Sequence, residues 1–78
     1  MADPVVTELA NQLAEDCLAV QAEIGDDRLF VQVGEVLGAS SQTLEEAFLT
    51  AIRTRMPNNK ARAFLAQKVK DHRAGSPA

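Results

Sequence analysis

Val6, Leu9, Leu13, Cys17, Val20 and Ile24 recur at intervals of three and four residues, which is the spacing of one face of a helix. Glu8, Gln12, Glu15, Asp16 and Glu23 fall largely outside that face. Asp3 followed by Pro4 reads as an N-cap and a proline at the first helical position, where its missing N–H costs nothing. Gly25 supplies a left-handed stop. The pattern predicts a helix over about residues 4–24. A second periodic run, Leu29, Phe30, Val33, Val36 and Leu37, follows Asp26 and Asp27 as candidate caps and ends at Gly38. Its segment FVQV is rich in β-branched residues and also suits a short strand. No other strand candidate exists to pair with it, which favours helix.

The turn GASS leads into SQTLEEAFLTAIRTRM, where Leu44, Phe48, Ile52 and Met56 stack at intervals of four. Ser41 can cap this third helix, or Thr43 with Glu46 can form a capping box. Pro57 is expected to end it, because proline lacks the amide that a helix interior needs. Asn58 or Asn59 would then cap a fourth helix to about Arg73, with Ala61, Phe64, Leu65 and Val69 as its apolar stripe. The expected architecture is all-α, a compact bundle of about four short helices over residues 1–73. The tail, residues 74–78, is expected to be flexible.

With 78 residues, the chain suits a single small domain, and it hides only roughly 60% of its unfolded surface on folding. Hydrophobic residues make up 46%, so composition does not predict disorder. No apolar run approaches the roughly 20 residues that span a bilayer, and MADPVV does not have the form of a secretory signal. A cytoplasmic location is the expectation, and the single Cys17 agrees with a reducing compartment. Trp and Tyr are absent, which removes the aromatic platforms on which single-strand binders stack bases.

Charge changes the picture more. Residues 1–50 carry ten acids and one base, a balance of −9; residues 51–78 carry seven bases and one acid, a balance of +6. Such a division suggests either a nucleic-acid-binding end or complementary halves that meet. The bases of the predicted fourth helix do not gather on one side. Arg62 and Arg73 fall together with Lys70 beyond them, Lys60 lies on the far side, and Lys68 sits inside the apolar arc. A DNA-backbone contact favours one contiguous basic face, so these bases read as a solvated set, with Lys68 laying its stem over the core edge.

No catalytic constellation is legible. His72 lies in the last turn of the fourth predicted helix without an orienting partner, a placement that suits a surface cation at a helix C-terminus. Cys17 lies on the apolar stripe, with no flanking base and with Asp16 beside it, and reads as a small core hydrophobe. One His and one Cys far apart in the chain do not make a zinc site. Gly34 and Gly38 match no phosphate-loop spacing. Neither an enzymatic activity, a cofactor, a metal nor a small-molecule substrate is expected. Gly34 is informative in another way: glycine inside a helix costs about 1 kcal/mol against alanine, which suggests close approach by another backbone or a local break.

In register, VQVGEVLGASSQTLEEAF resembles the helix-turn-helix of DNA-binding proteins. Gly34 falls where its helices cross closely, Leu37 precedes the turn, Gly38 makes it, and Leu44 and Ala47 pack the second helix back on the first. The stretch LGASSQTLEEAF, followed by Pro57, resembles the distal helix-turn-helix of AraC-type regulators. The resemblance covers about residues 31–57. It implies a DNA-reading surface made by Ser40, Ser41, Gln42 and Glu45. Glu45 and Glu46 together would meet the phosphate field with like charge.

Two functional readings follow. In the first, the protein is a small helical interaction, adaptor or regulatory protein, with a protein partner or a second copy of itself as its target. Its candidate contact residues are Arg53, Arg55, Lys60, Arg62, Lys70 and Arg73, set against the acidic first helix of the same chain or of a partner. In the second, it is a helix-turn-helix transcription regulator that binds DNA.

Overall fold

The computed structural model describes residues 3–75. Three helices follow in order: α1, Pro4–Ile24; α2, Leu29–Gly38; and α3, Gln42–Gly75. No strand occurs among the described residues, so FVQV is helical and the all-α class holds.

Local chemistry sets the ends of α1. The Asp3 carboxylate accepts from the Val5 amide at 2.9 Å, and Pro4 occupies the first turn. At the other end Gly25 has φ of 71°, and its N–H donates to the Gln21 carbonyl. A side chain added at Gly25 meets no neighbour within 4 Å, so replacing it costs only conformational strain. Gly25→Ala is expected to lower stability by about 1 kcal/mol, with Gly25→Asn costing less because asparagine tolerates this region; urea denaturation reads both.

The short link to α2 is tied by Asp26, whose carboxylate accepts from the Arg28 amide at 3.0 Å. Asp26 thus holds the turn rather than capping the helix, which starts after Arg28 without a side-chain cap. Ser41 is the cap of α3. Its hydroxyl accepts from the Leu44 amide at 3.1 Å, in place of the capping box offered by Thr43 and Glu46.

The main departure from expectation lies at Pro57. It stands inside α3, which continues to Gly75. The described residues form three helices rather than four, and neither Asn58 nor Asn59 caps a new one. Proline removes one backbone hydrogen bond, the one that position 57 would give to the carbonyl of Arg53. Arg53 is exposed, so water can satisfy that carbonyl. The run KARAFLAQKVK that follows is built of strong helix formers, which carry the helix onward. Ala74 and Gly75, expected to begin a flexible tail, are the last residues of α3; Ser76 to Ala78 lie outside the described residues.

The core sits entirely in the first two thirds of the chain. Phe48 and Ile52 of α3 are its large buried side chains, against Ala10, Ala14 and Cys17 of α1. Leu29, Phe30, Val33 and Leu37 of α2 pack on this cluster. The buried face of α1 is therefore not centred on the predicted stripe. Leu9, Val20 and Ile24 are exposed, while Ala10, Ala14 and Gln21 are buried. Small residues let α1 approach α3 closely, and close packing of the whole face outweighs the hydrophobicity of its larger residues.

From Pro57 to Gly75 every residue is exposed. The stripe predicted to be buried in a fourth helix stands in solvent, with Phe64 at 61%, Leu65 at 62% and Val69 at 47% exposure. The molecule measures 56 × 28 × 13 Å, with a Cα radius of gyration of 16.2 Å. A compact domain of this length has a radius of about 11.5 Å. The long axis is α3 itself, about 51 Å at 1.5 Å per residue.

Candidate interaction surface

α3 has two halves with different surroundings. Its first half packs on α1 and α2 through Phe48, Ala51 and Ile52. Its second half projects. At about 100° per residue, Phe64, Lys68, Ala61, Leu65 and Val69 share one arc of the projecting half, about 140° wide. Lys60 borders that arc beside Phe64, and Arg62 and Arg73 border it beside Val69. The Lys68 ammonium stands 5.5 Å from the centre of the Phe64 ring, a cation–π contact that covers part of the stripe with the lysine stem. Asp71, the one acid here, accepts from the Gln67 amide at 2.8 Å along the same helix.

Following the same arc back toward the first half of α3 leads into an open groove of about 870 Å³ between α1 and α3. From α3 it is lined by Thr43, Glu46, Ala47, Thr50, Thr54 and Asn58, among others, and from α1 by Val6, Thr7 and Asn11. The Thr54 hydroxyl donates to the Thr50 carbonyl at 3.0 Å, so its proton is already engaged within the helix. Arg55 also lines the groove. Its guanidinium pairs with Glu15 of α1 at 3.2 Å, while its Nε is buried without a protein acceptor. Glu15 is mostly exposed, and a pair this open to solvent contributes under about 1 kcal/mol.

The contact residues predicted from sequence thus separate. Arg55 alone meets an acid of α1. Arg53, Lys60, Arg62, Lys70 and Arg73 are exposed, and the acidic face of α1 does not cover them. The DNA-reading candidates lie elsewhere. Ser40 and Gln42 are exposed at the start of α3, Ser41 is engaged as its cap, and the Glu45 carboxylate lies against Gly38. Lys60 through Arg73 begin about 20 Å along the axis from Glu46. The bases therefore do not flank that surface.

Gly34 is buried, and a Cβ placed there would stand 3.4 Å from Leu49 Cδ2. What covers it is the Leu49 side chain of α3 at ordinary contact distance, not another backbone, and α2 runs through Gly34 without a break. Cys17 is buried, and burial pushes its thiol above the ordinary range, so it stays protonated and unreactive at neutral pH. His72 is exposed in the last turn of α3. No group of three or more His, Cys, Asp or Glu residues suited to a metal occurs among the described residues, and none of the helices is long and apolar enough to cross a membrane.

Sequence reasoning missed Gln21, a buried polar residue whose side-chain oxygen accepts from the Phe30 amide at 2.8 Å. It also missed the groove, since both depend on how helices meet. A readable trace existed: Ala10, Ala14, Cys17 and Gln21 are spaced four, three and four, a small-residue face that hydrophobicity alone ranks below Leu9 and Val20.

No protein-family model matches the chain, and no curated protein or solved structure is significantly similar to it.

Proposed function

We propose that this is a non-enzymatic helical interaction protein that works by docking the projecting half of α3 against another protein surface. One observation carries the reading: Phe64, Leu65 and Val69 form an exposed apolar stripe on the half of α3 that is uncovered among the described residues. Monomeric soluble proteins seldom leave a contiguous apolar stripe uncovered, and such stripes mark association sites. Bases at both edges of the stripe favour an acidic surround on the other side. Affinity capture from native lysate, with and without nuclease, combined with sedimentation of the purified protein, tests the reading. It expects nuclease-resistant capture or self-association that is lost in Phe64→Asp. A wild-type protein that stays monomeric and captures no protein overturns it.

A second reading is a DNA-binding helix-turn-helix made by α2 and the start of α3. The observation favouring it is the packing of the Leu49 side chain on buried Gly34 across a three-residue turn. It expects duplex binding that weakens steeply with salt and weakens again in Gln42→Ala. Absence of binding by folded protein at low salt ends it. The carboxylates of Glu45 and Glu46 and the distance to Lys60–Arg73 place this reading second.

A further inference from the structure

We propose that the second half of α3 docks into the groove between α1 and α3 of a second copy of this chain, and that the exchange is reciprocal about a two-fold axis near Asn58. The inference rests on the interaction reading above and names its partner.

One face of α3 runs unbroken from the groove into the projecting half. In the groove this face carries small side chains, Ala47, Thr50, Ala51 and Thr54. Past Asn58 the same face carries large ones, Phe64, Leu65 and Val69, and all three are exposed. Two α3 helices laid antiparallel about Asn58 bring residue pairs together whose numbers sum to about 115. Leu65 then meets Thr50, Phe64 meets Ala51, and Ala61 meets Thr54. Large side chains fall on small ones at both ends, as close packing between helices requires.

One charge pair agrees with the arrangement: Lys68 falls beside Glu46, which lines the groove. The same register brings Lys60 and Arg62 near Arg55 and Arg53 of the other copy, so shape rather than net charge selects it.

Surface area agrees. The chain exposes 6037 Å², against roughly 4,600 Å² for a compact monomer of its mass. The excess is of the order of 1,000 Å², comparable to the roughly 800 Å² per partner of a standard interface. The contacts that a fourth helix would have made within one chain, turning at Pro57–Asn59, are here made between chains because α3 runs straight through. Exchange of an element at a short hinge is a common route to dimers.

The test is sedimentation equilibrium of the full chain at about 50 μM, above the micromolar limit of interfaces this size. The expected result is a mass twice the 8.4 kDa of one chain. Phe64→Asp/Leu65→Asp is expected to weaken the dimer by at least about 100-fold, with the helical circular dichroism retained because both residues are exposed in the single chain. Glu46→Lys and Lys68→Glu are each expected to weaken self-association, and an equal mixture of the two is expected to recover it as the heterodimer, in which both exchanged contacts pair opposite charges. A monomeric wild type overturns the proposal, as does a dimer indifferent to all of these substitutions. The interaction reading fails separately: a monomer that still captures a protein through Phe64 retains that reading with another partner, and a monomer that captures nothing ends both.

Discussion

Phe48→Ala is expected to cost about 3–5 kcal/mol and to leave much of the protein unfolded at ambient temperature. Phe48 is 0% exposed and, with Ile52, is one of the two largest fully buried side chains. Truncating such a residue removes its transfer free energy and leaves a cavity that neighbours fill only in part. Collapse is hindered here because the neighbours on α1 are Ala10, Ala14 and Cys17, too short to reach into the space. A domain of this length has a total stability on the order of 4–12 kcal/mol, and a core confined to the first two thirds of the chain belongs at the lower end. Phe48→Leu keeps an apolar side chain of closer volume and is expected to cost markedly less. Urea denaturation followed by circular dichroism at several protein concentrations checks both. Concentration matters because association stabilises whichever state it binds. A Phe48→Ala protein within about 1 kcal/mol of wild type would mean that the core does not centre on this residue.

The same geometry explains which features could be read from sequence. Asp3, Pro4, Gly25 and Ser41 act on the backbone within a few residues of themselves, and their roles follow from composition at those positions. The all-α class followed as readily, from periodicity over long segments. The buried face of α1 did not. Its two candidate faces differ in which one lets α3 come close, and that is a property of the pair of helices rather than of α1. Ranking by hydrophobicity favours Leu9, Val20 and Ile24; packing favours Ala10 and Ala14. Pro57 failed for a related reason. The rule that proline ends a helix measures a lost hydrogen bond and a steric clash, and it is silent on a helix that has strong formers on both sides and no neighbouring surface to turn back onto. The basic residues of the candidate surface were correctly seen as scattered round the helix, whereas the projection of that helix away from the core was not visible in the sequence. Chain continuity through Pro57 is what converts an ordinary fourth helix into an exposed one.

Gln21→Met is expected to destabilise the protein by about 1–3 kcal/mol and to loosen α2 specifically. Gln21 is 6% exposed, and its side-chain oxygen accepts from the Phe30 amide at 2.8 Å. Since a backbone N–H can only donate, the carbonyl oxygen of the amide must face it. The contact matters because α2 begins without a side-chain cap of its own; one of its orphan amides is satisfied by a residue nine positions earlier in the chain. Methionine retains the length and apolar body of glutamine but offers only a weak acceptor, so it leaves a partly buried amide unsatisfied. The penalty for the orphaned donor exceeds the modest net value of an ordinary hydrogen bond, which is why a nearly isosteric change is expected to be costly. Hydrogen exchange locates the effect. The Phe30 amide and the first turn of α2 are expected to lose protection, while the middle of α1 and the Phe48 region of α3 change only by the global loss. Uniform loss of protection across all three helices would instead mean that Gln21 contributes bulk packing and that the start of α2 is held by Leu29 and Phe30 on the core.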